Sequence, residues 1–317
     1  MTVKMAYSFL VNPIAGNGVA KQKWQKLQRY LNEQSIAYRV FYSDGPGGIE
    51  NKLFQSTLDQ APVIVIGGDG TLHEALNGLL KNKALNRTRP IAYISAGSGN
   101  DFARSHQLSD YPIQAFKRIN HQIEQNYVTL LDIGKCLDEQ TSEISYFVNN
   151  LGIGIDATTV AFANQSKIKQ WLNRYHLGGF SYFLAIFQSL QQQDAFDAEV
   201  VLQDQKESYC TNNAFLITVS NQPYFGGGIK ILPDASSVDG LFDIVLVDRP
   251  KSLGRLIWLI GALLRGNHYR YSEVHHLKSA RIGLRSEIKE YSHLDGEVIP
   301  ARKNVLQLST IKYPFYI

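Results

Sequence analysis

Apolar and polar positions follow two different rhythms along the chain. In the first part, short apolar runs take turns with segments of helical spacing. Ala6–Val11 reads as a buried strand, Val19–Leu31 as a helix, Ala37–Tyr42 and Val63–Ile66 as strands. Leu72–Leu80 and Ile113–Ile119 read as helices on either side of a strand at Ile91–Ile94. Alternating strands and amphipathic helices predict a parallel sheet covered on its faces. Ligands of such sheets lie beyond the carboxyl ends of the strands, so the loops after Val11, Tyr42, Ile66 and Ile94 are the ones to inspect.

Past Val128 the period shortens to two. Tyr127–Cys136, Ile144–Asn150, Phe196–Gln203, Asn213–Ser220, Leu241–Val247, Val274–Leu284 and Val305–Ile311 read as successive strands. Helical segments around Lys167–Gln192 and Ser252–Arg265 interrupt them. Many consecutive strands predict an antiparallel sandwich. The expected organisation is α/β plus β, with a doubly wound α/β domain over 1–130 and a β-sandwich over 131–305. The aromatic tail, within 306–317, is expected to return to the first domain as an added strand.

With 317 residues, 44% of them hydrophobic and 19% charged, the chain has the makings of packed cores and not of a disordered tail. Two distant cysteines, Cys136 and Cys210, exclude a disulfide scaffold and a zinc ribbon. The opening MTVKMAYSFLVNP has an apolar stretch too short and poorly placed for a secretory signal to be expected, and the best apolar window, Leu256–Leu264, is too short to span a bilayer. A cytoplasmic protein is expected. The net charge of +4 is unevenly placed. No acid falls between Asp156 and Asp194, or between Asp248 and Glu273, whereas Lys167, Lys169, Arg174, Arg249, Lys251, Arg255, Arg265 and Arg270 do. The positive character is local and points to an anionic surface.

Val63–Asn77 is the strongest local signal: a buried strand enters Gly67-Gly68-Asp69-Gly70-Thr71 and a helix follows at once. Glycines permit close backbone approach to a bulky anion, and free amides at a helix start favour phosphate. Asp69 would repel a bare phosphate, so its presence implies a cation between them, most simply Mg²⁺. The plainer alternative is a tight turn with Thr71 capping the helix. Asn12-Pro13-Ile14-Ala15-Gly16-Asn17-Gly18 and Ser95-Ala96-Gly97-Ser98-Gly99-Asn100-Asp101 follow two other strands of the same sheet. The second brings a hydroxyl, Ser98, and a second carboxylate, Asp101, and the loop after Tyr42 adds Ser43. Three such loops at one sheet edge read as a nucleotide site.

Other patterns lead nowhere. No GxxxxGK[ST] occurs, and Gly152–Ala157 matches a dinucleotide pattern without the ribose-binding acid downstream. His275 and His276 should point to opposite faces of a strand. His73 is read as structural or as a substrate contact. Nothing resembles a nucleic-acid-binding module, so no nucleic-acid partner is expected. Asp239-Gly240 and Leu294-Asp295-Gly296-Glu297 are turns on local evidence, the second with two carboxylates, one of which could accept a proton from a hydroxyl.

Taken in order, NPIAGNG, GGDGTLHEALNG, GSGNDFAR, NNLGIGIDA, PYFGGGIKILPDASSVDGLFDIVLV and LDGE resemble the diacylglycerol kinase catalytic family, in particular its soluble bacterial lipid kinases, relatives of sphingosine and ceramide kinases. The resemblance covers essentially the whole chain. It implies an α/β nucleotide-binding domain, a β-sandwich domain and an active site in the cleft between them. It implies ATP contacts at Ser43, at Ile66, Gly67, Gly68, Asp69, Gly70, Thr71 and Leu72, and at Ser98, beside Asn12 of the first loop. Glu297 would be the catalytic base, with Asp295, Asp69 and Asp101 in the magnesium and water network. A structural Mg²⁺ would rest on Asp239 and on backbone oxygens near Ser236 and Leu241. Where the family shows P-x-GT and a threonine, this chain has Ser95, Ser98 and Ser43. Ser236 and Ser237 stand where some relatives carry an acid.

The activity so implied is transfer of the γ-phosphoryl group of MgATP to a lipid hydroxyl, with diacylglycerol giving phosphatidic acid. A sphingosine-like lipid, phosphatidylglycerol or a small molecule such as NAD are the alternatives. A lipid acceptor requires visits to a membrane surface from the cytoplasmic side. The two acid-free stretches either dock there or bury their apolar faces in the second domain, leaving basic rims. An exposed strand edge in either domain would support a homodimer.

Overall fold

The computed structural model describes residues 7–55, 61–85, 88–159 and 193–317. The expected helical segment Lys167–Gln192, with Lys167, Lys169 and Arg174, lies outside them. The chain divides into two compact units. Met1–Ile133, Gly226–Gly228 and Lys312–Ile317 make up the first, Gly134–Phe225 and Ile229–Ile311 the second.

In the first unit β1 (Tyr7–Val11), α1 (Val19–Glu33), β2 (Tyr38–Tyr42), α2 (Gly48–Gln55), β3 (Val63–Gly67), α3 (Asp69–Lys81), β4 (Ile91–Ser95), α4 (Asp101–Ser105) and α5 (Pro112–Glu124) follow one another. The strands pair in parallel in the order β2-β1-β3-β4. Every residue of β1, β3 and β4 is buried, as in a sheet covered on both faces. Phe9, Val11, Ile64, Ile66, Ala92 and Ile94 face Trp24, Leu27 and Leu31 of α1 and Phe116, Ile119 and Ile123 of α5. Helices α2 and α3 meet at Gly78, where a Cβ would come within 2.7 Å of the Leu53 Cβ. The tail completes this sheet: Phe315 and Tyr316 pair in parallel with Ile91 and Ala92. Tyr313 donates its hydroxyl proton to the Arg89 carbonyl at 2.6 Å, and Lys312 pairs with the buried Asp132 at 2.8 Å.

The second unit takes up β5 (Thr129–Asp138, begun in the first unit), β6 (Ile144–Phe147), β7 (Asn150–Gly154), β8 (Phe196–Leu202), β9 (Glu207–Ser220), β10 (Tyr224–Phe225), β11 (Ile229–Lys230) and β12 (Phe242–Asp248). Helix α6 (Leu253–Leu264), β13 (Val274–Ser279), β14 (Arg281–Leu294) and β15 (Glu297–Tyr316) complete the order. Its strand pairs are antiparallel. β7 and β8 each lie between β9 and β14, one along each half, so the two long strands pass from one layer to the other. The core between the layers holds Phe147, Ile153, Phe196, Val200, Ile217, Phe242, Ile244 and Leu284. Alternation in β8 places Phe196, Ala198, Val200 and Leu202 inward. The single strand expected over Val274–Leu284 is two, β13 and β14, separated at Ala280.

Candidate active site

Three loops of the first unit come together because glycines let their backbones touch. A Cβ on Gly97 would sit 2.5 Å from the Gly68 Cα, and one on Gly16 would sit 2.3 Å from the Ala96 carbonyl oxygen. Only hydrogen at those positions allows the loops after β1, β3 and β4 to converge. Asn100, at φ 54°, closes the third loop by accepting from the Gly97 amide at 2.8 Å and donating to its carbonyl at 2.9 Å.

Helix α3 starts at this junction with no side-chain cap on Gly68. Thr71 does not cap it: the buried Thr71 hydroxyl accepts from the Asn12 side-chain amide at 3.2 Å, tying the first loop to the second. A Cβ on Gly67 would collide with that hydroxyl at 2.4 Å. The helix start is therefore available to an anion.

Two carboxylates border it. Asp69 accepts the amides of Asp101 at 3.0 Å and Phe102 at 3.4 Å, opening α4. Asp101 accepts the Gly227 amide at 2.8 Å and pairs with Arg104. Burial pushes the Asp101 carboxyl above the usual carboxylate range, against the pull of the Gly227 amide and Arg104. Asp69 Oδ2 and Asp101 Oδ2 both face Gly99, where an added Cβ would lie 3.3 Å and 3.8 Å from them. Two carboxylate oxygens facing a space cleared by a glycine fit one hard cation completed by waters and phosphate oxygens. Among the described residues no cluster of three His, Cys, Asp or Glu side chains forms a metal cage.

Glu74, which sequence reasoning passed over, anchors the fourth loop. Its carboxylate accepts the amides of Gly47 at 2.9 Å and Ile49 at 3.0 Å, fixing the turn that carries Ser43. The Ser43 hydroxyl donates to the Gly45 carbonyl at 2.9 Å. The signal available for Glu74 was its place three residues after Thr71 in the run GGDGTLHEALN. Lys23 was also missed: it donates to the Ser95 carbonyl at 2.6 Å, and burial lowers its pKa. Gly226, Gly227 and Gly228 all have positive φ, which explains the glycine triplet around the amide that reaches Asp101. Ser98 stands exposed in the third loop.

The other candidate residues belong to the second unit. Asp295 and Gly296, at φ 50° and 88°, form the two-residue turn of the β14–β15 hairpin, with Leu294 opposite Glu297. Asp295 Oδ2 accepts the Val148 amide at 2.8 Å, and Oδ1 accepts those of Asn149 and Asn150 at 2.8 and 3.0 Å. The exposed Glu297 opens β15 directly after this turn. Beneath it His293 accepts the Gly296 amide at Nδ1, 3.2 Å away, and its Nε2 lies 3.4 Å from the buried Asp156. Gly152 makes room for that pair, since a Cβ would meet the Asp156 carboxylate at 2.0 Å. Ser236, Asp239 and Leu241 lie before β12, where Asp239 accepts the Leu241 amide at 3.0 Å. This turn is closed by its own hydrogen bond, and Asp239 is the one carboxylate among those three residues. His275 and His276 pair with different acids, Asp248 and Asp243. His73 is buried against Asn77.

One apolar pocket of about 220 Å³ opens in the second unit, lined by Phe215, Ile231, Val245, Leu259, Leu263 and their neighbours, with Asp156, Thr159 and His268 as polar members.

Comparison with known proteins bears on both units. The diacylglycerol kinase catalytic domain family matches residues 6–133, and the YegS C-terminal NAD kinase beta sandwich-like domain matches residues 149–309. A Bacillus subtilis (strain 168) protein named provisionally as the lipid kinase YtlR is 28% identical over 92% of this chain and 93% of its own. The diacylglycerol kinase of Staphylococcus carnosus (strain TM300) is 30% identical over 91% of this chain and 87% of its own. A crystal structure from Bacillus anthracis str. Sterne, described provisionally as a diacylglycerol kinase, shares the fold with a TM-score of 0.72 at 22% identity, covering 99% of this chain and 97% of that one. The chain belongs to the diacylglycerol kinase family and is a kinase that transfers phosphate to an alcohol.

Proposed function

We propose that the chain phosphorylates a lipid hydroxyl at the expense of MgATP, with diacylglycerol as acceptor and phosphatidic acid as product. The observation that carries the lipid reading is the apolar pocket of the second unit, whose walls suit an alkyl chain and offer little to a polar dinucleotide. For the nucleotide, the support is the junction of three glycine loops at an uncapped helix start.

In this reading the amides at the start of α3 bind phosphate oxygens, and Ser43 and Ser98 hydrogen-bond to the nucleotide. Asp69 and Asp101 would hold magnesium, which when bound neutralises charge on the transferring phosphate. Arg104 keeps Asp101 oriented, and Asn12 keeps Thr71 turned inward. Glu297 takes the proton of the acceptor hydroxyl, on a turn held rigid by Asp295 and His293. Catalysis of this kind rests on positioning and charge neutralisation.

A radiolabelled ATP assay against diacylglycerol, sphingosine, phosphatidylglycerol and NAD tests the proposal. Label in phosphatidic acid supports it. Label in NADP alone, or in no lipid, overturns it.

A further inference from the structure

Apart from Arg255 and two glycines helix α6 is apolar throughout, yet among the described residues only part of its surface is buried. Leu256, Leu259, Ile260 and Leu263 line the apolar pocket. Leu253, Ile257, Trp258 and Leu264 fall on the outward stripe, 59%, 62%, 57% and 70% exposed. At about 100° per residue Leu253, Ile257 and Leu264 lie within about 40° of one another, and Trp258 lies about 100° further round from Ile257, so the exposed face is broad. Leu264 belongs to both sets, so the pocket reaches the surface along this stripe.

The surroundings are basic. Arg249, Lys251, Arg255, Arg265 and Arg270 occur with no acid from 249 to 272. Two of the five pair with acids, Arg249 with Asp194 at 2.8 Å and Arg255 with Glu273 in a two-pronged pair at 2.7 and 2.8 Å, and Arg265 donates to the Gly261 carbonyl at 3.3 Å. Lys251, Arg265 and Arg270 have no carboxylate partner among the described residues. Trp258 donates its indole proton to the Tyr271 hydroxyl at 3.0 Å, and Arg255 lies over the Tyr271 ring. Aromatic rings with one polar end suit the headgroup level of a bilayer. Twelve residues are too few to cross the hydrocarbon, and no helix among the described residues is long and apolar enough to do so.

We propose that α6 is an interfacial docking helix for an anionic bilayer. Its outward stripe lies among the acyl chains, Lys251, Arg265 and Arg270 face the headgroups, and an alkyl chain passes along Leu264 into the pocket without crossing water. The entry route rests on the lipid-kinase reading; the docking does not.

The test uses the full chain and vesicles of phosphatidylcholine with or without phosphatidylglycerol, without nucleotide or acceptor. Sedimentation should show binding to the anionic vesicles that weakens with salt. Lys251→Gln with Arg270→Gln should weaken it roughly fivefold per charge, and Ile257→Ser with Trp258→Ser should remove most of it. Unchanged melting temperatures would exclude misfolding. Both double variants should phosphorylate a short-chain, monomerically dissolved diacylglycerol as the unaltered chain does. Binding indifferent to phosphatidylglycerol, or variants that sediment like the unaltered chain, overturn the proposal. So does a lipid-free dimer that the Ile257→Ser, Trp258→Ser variant dissociates, since the stripe would then face a second copy. Vesicle binding without phosphorylation of any lipid would sink the kinase reading and leave docking in place. Turnover of the soluble acceptor without vesicle binding would do the reverse.

Discussion

Asp69 and Asp101 are joined through the backbone as well as through the space they share. The Asp69 carboxylate accepts the Asp101 amide at 3.0 Å, so the residue that opens α3 also fixes the start of α4. An acid among glycines thus serves the scaffold and the proposed cation at once.

Asp69→Ala should therefore do two things. Turnover falls by a factor of roughly 10² or more, and stability drops by about 1 kcal/mol from loss of the helix-opening hydrogen bonds. Steady-state kinetics and thermal melts separate the two. Activity close to that of the unaltered enzyme would remove Asp69 from the cation site.

Protonation of Asp101 gives a pH signature. Its carboxyl is raised by burial, so as pH falls it takes a proton before an ordinary aspartate would. The neutral form relieves the burial penalty, so the unliganded fold gains slightly as pH drops through the raised value while magnesium-nucleotide affinity declines. Calorimetric titration across mildly acidic pH should show that decline, and Asp101→Asn should bind weakly at every pH without it. Identical pH profiles for both proteins would discount the carboxylate.

Gly97→Ala should be far worse than its single carbon suggests. The new methyl would meet the Gly68 backbone at 2.5 Å, and neither partner is a flexible side chain. Parting these loops should cut ATP affinity at least tenfold, read by equilibrium dialysis, with the second unit unaffected. Retained affinity would mean that the junction is not where phosphate binds.

The hairpin acids should behave differently from each other. Glu297→Gln is expected to keep ATP affinity and lose roughly 10²–10⁴-fold in turnover. Asp295→Asn places an amide against three backbone donors and should cost about 1–3 kcal/mol of stability, visible in a denaturant titration. If Glu297→Gln loses nucleotide binding instead, the base assignment fails.

Much of this was legible in the residues. Continuous apolar runs at Val63–Ile66 and Ile91–Ile94 could hardly be anything but strands buried on both faces, and the observed strands carry them. Short elements escaped. α2 starts on the last glycine of Ser-Asp-Gly-Pro-Gly-Gly and is held by Glu74, a contact between residues far apart in sequence. Periodicity also overran Ala280, because β13 and β14 are both strand-like and differ in their partners, Phe242–Val247 for one and β7, β8 and β15 for the other. The glycine triplet was visible as a motif, but its reason, an amide donated to Asp101, depends on tertiary structure.

Because Phe315 and Tyr316 stand beside Ile91 and Ala92, the first unit is assembled from both ends of a long stretch of sequence. Ile91 precedes its partner Phe315 by 224 residues, so during synthesis this pairing forms only after the whole second unit has been made. A protein truncated after Ile311 would carry an open β4 edge permanently, exposed to pairing with any passing strand.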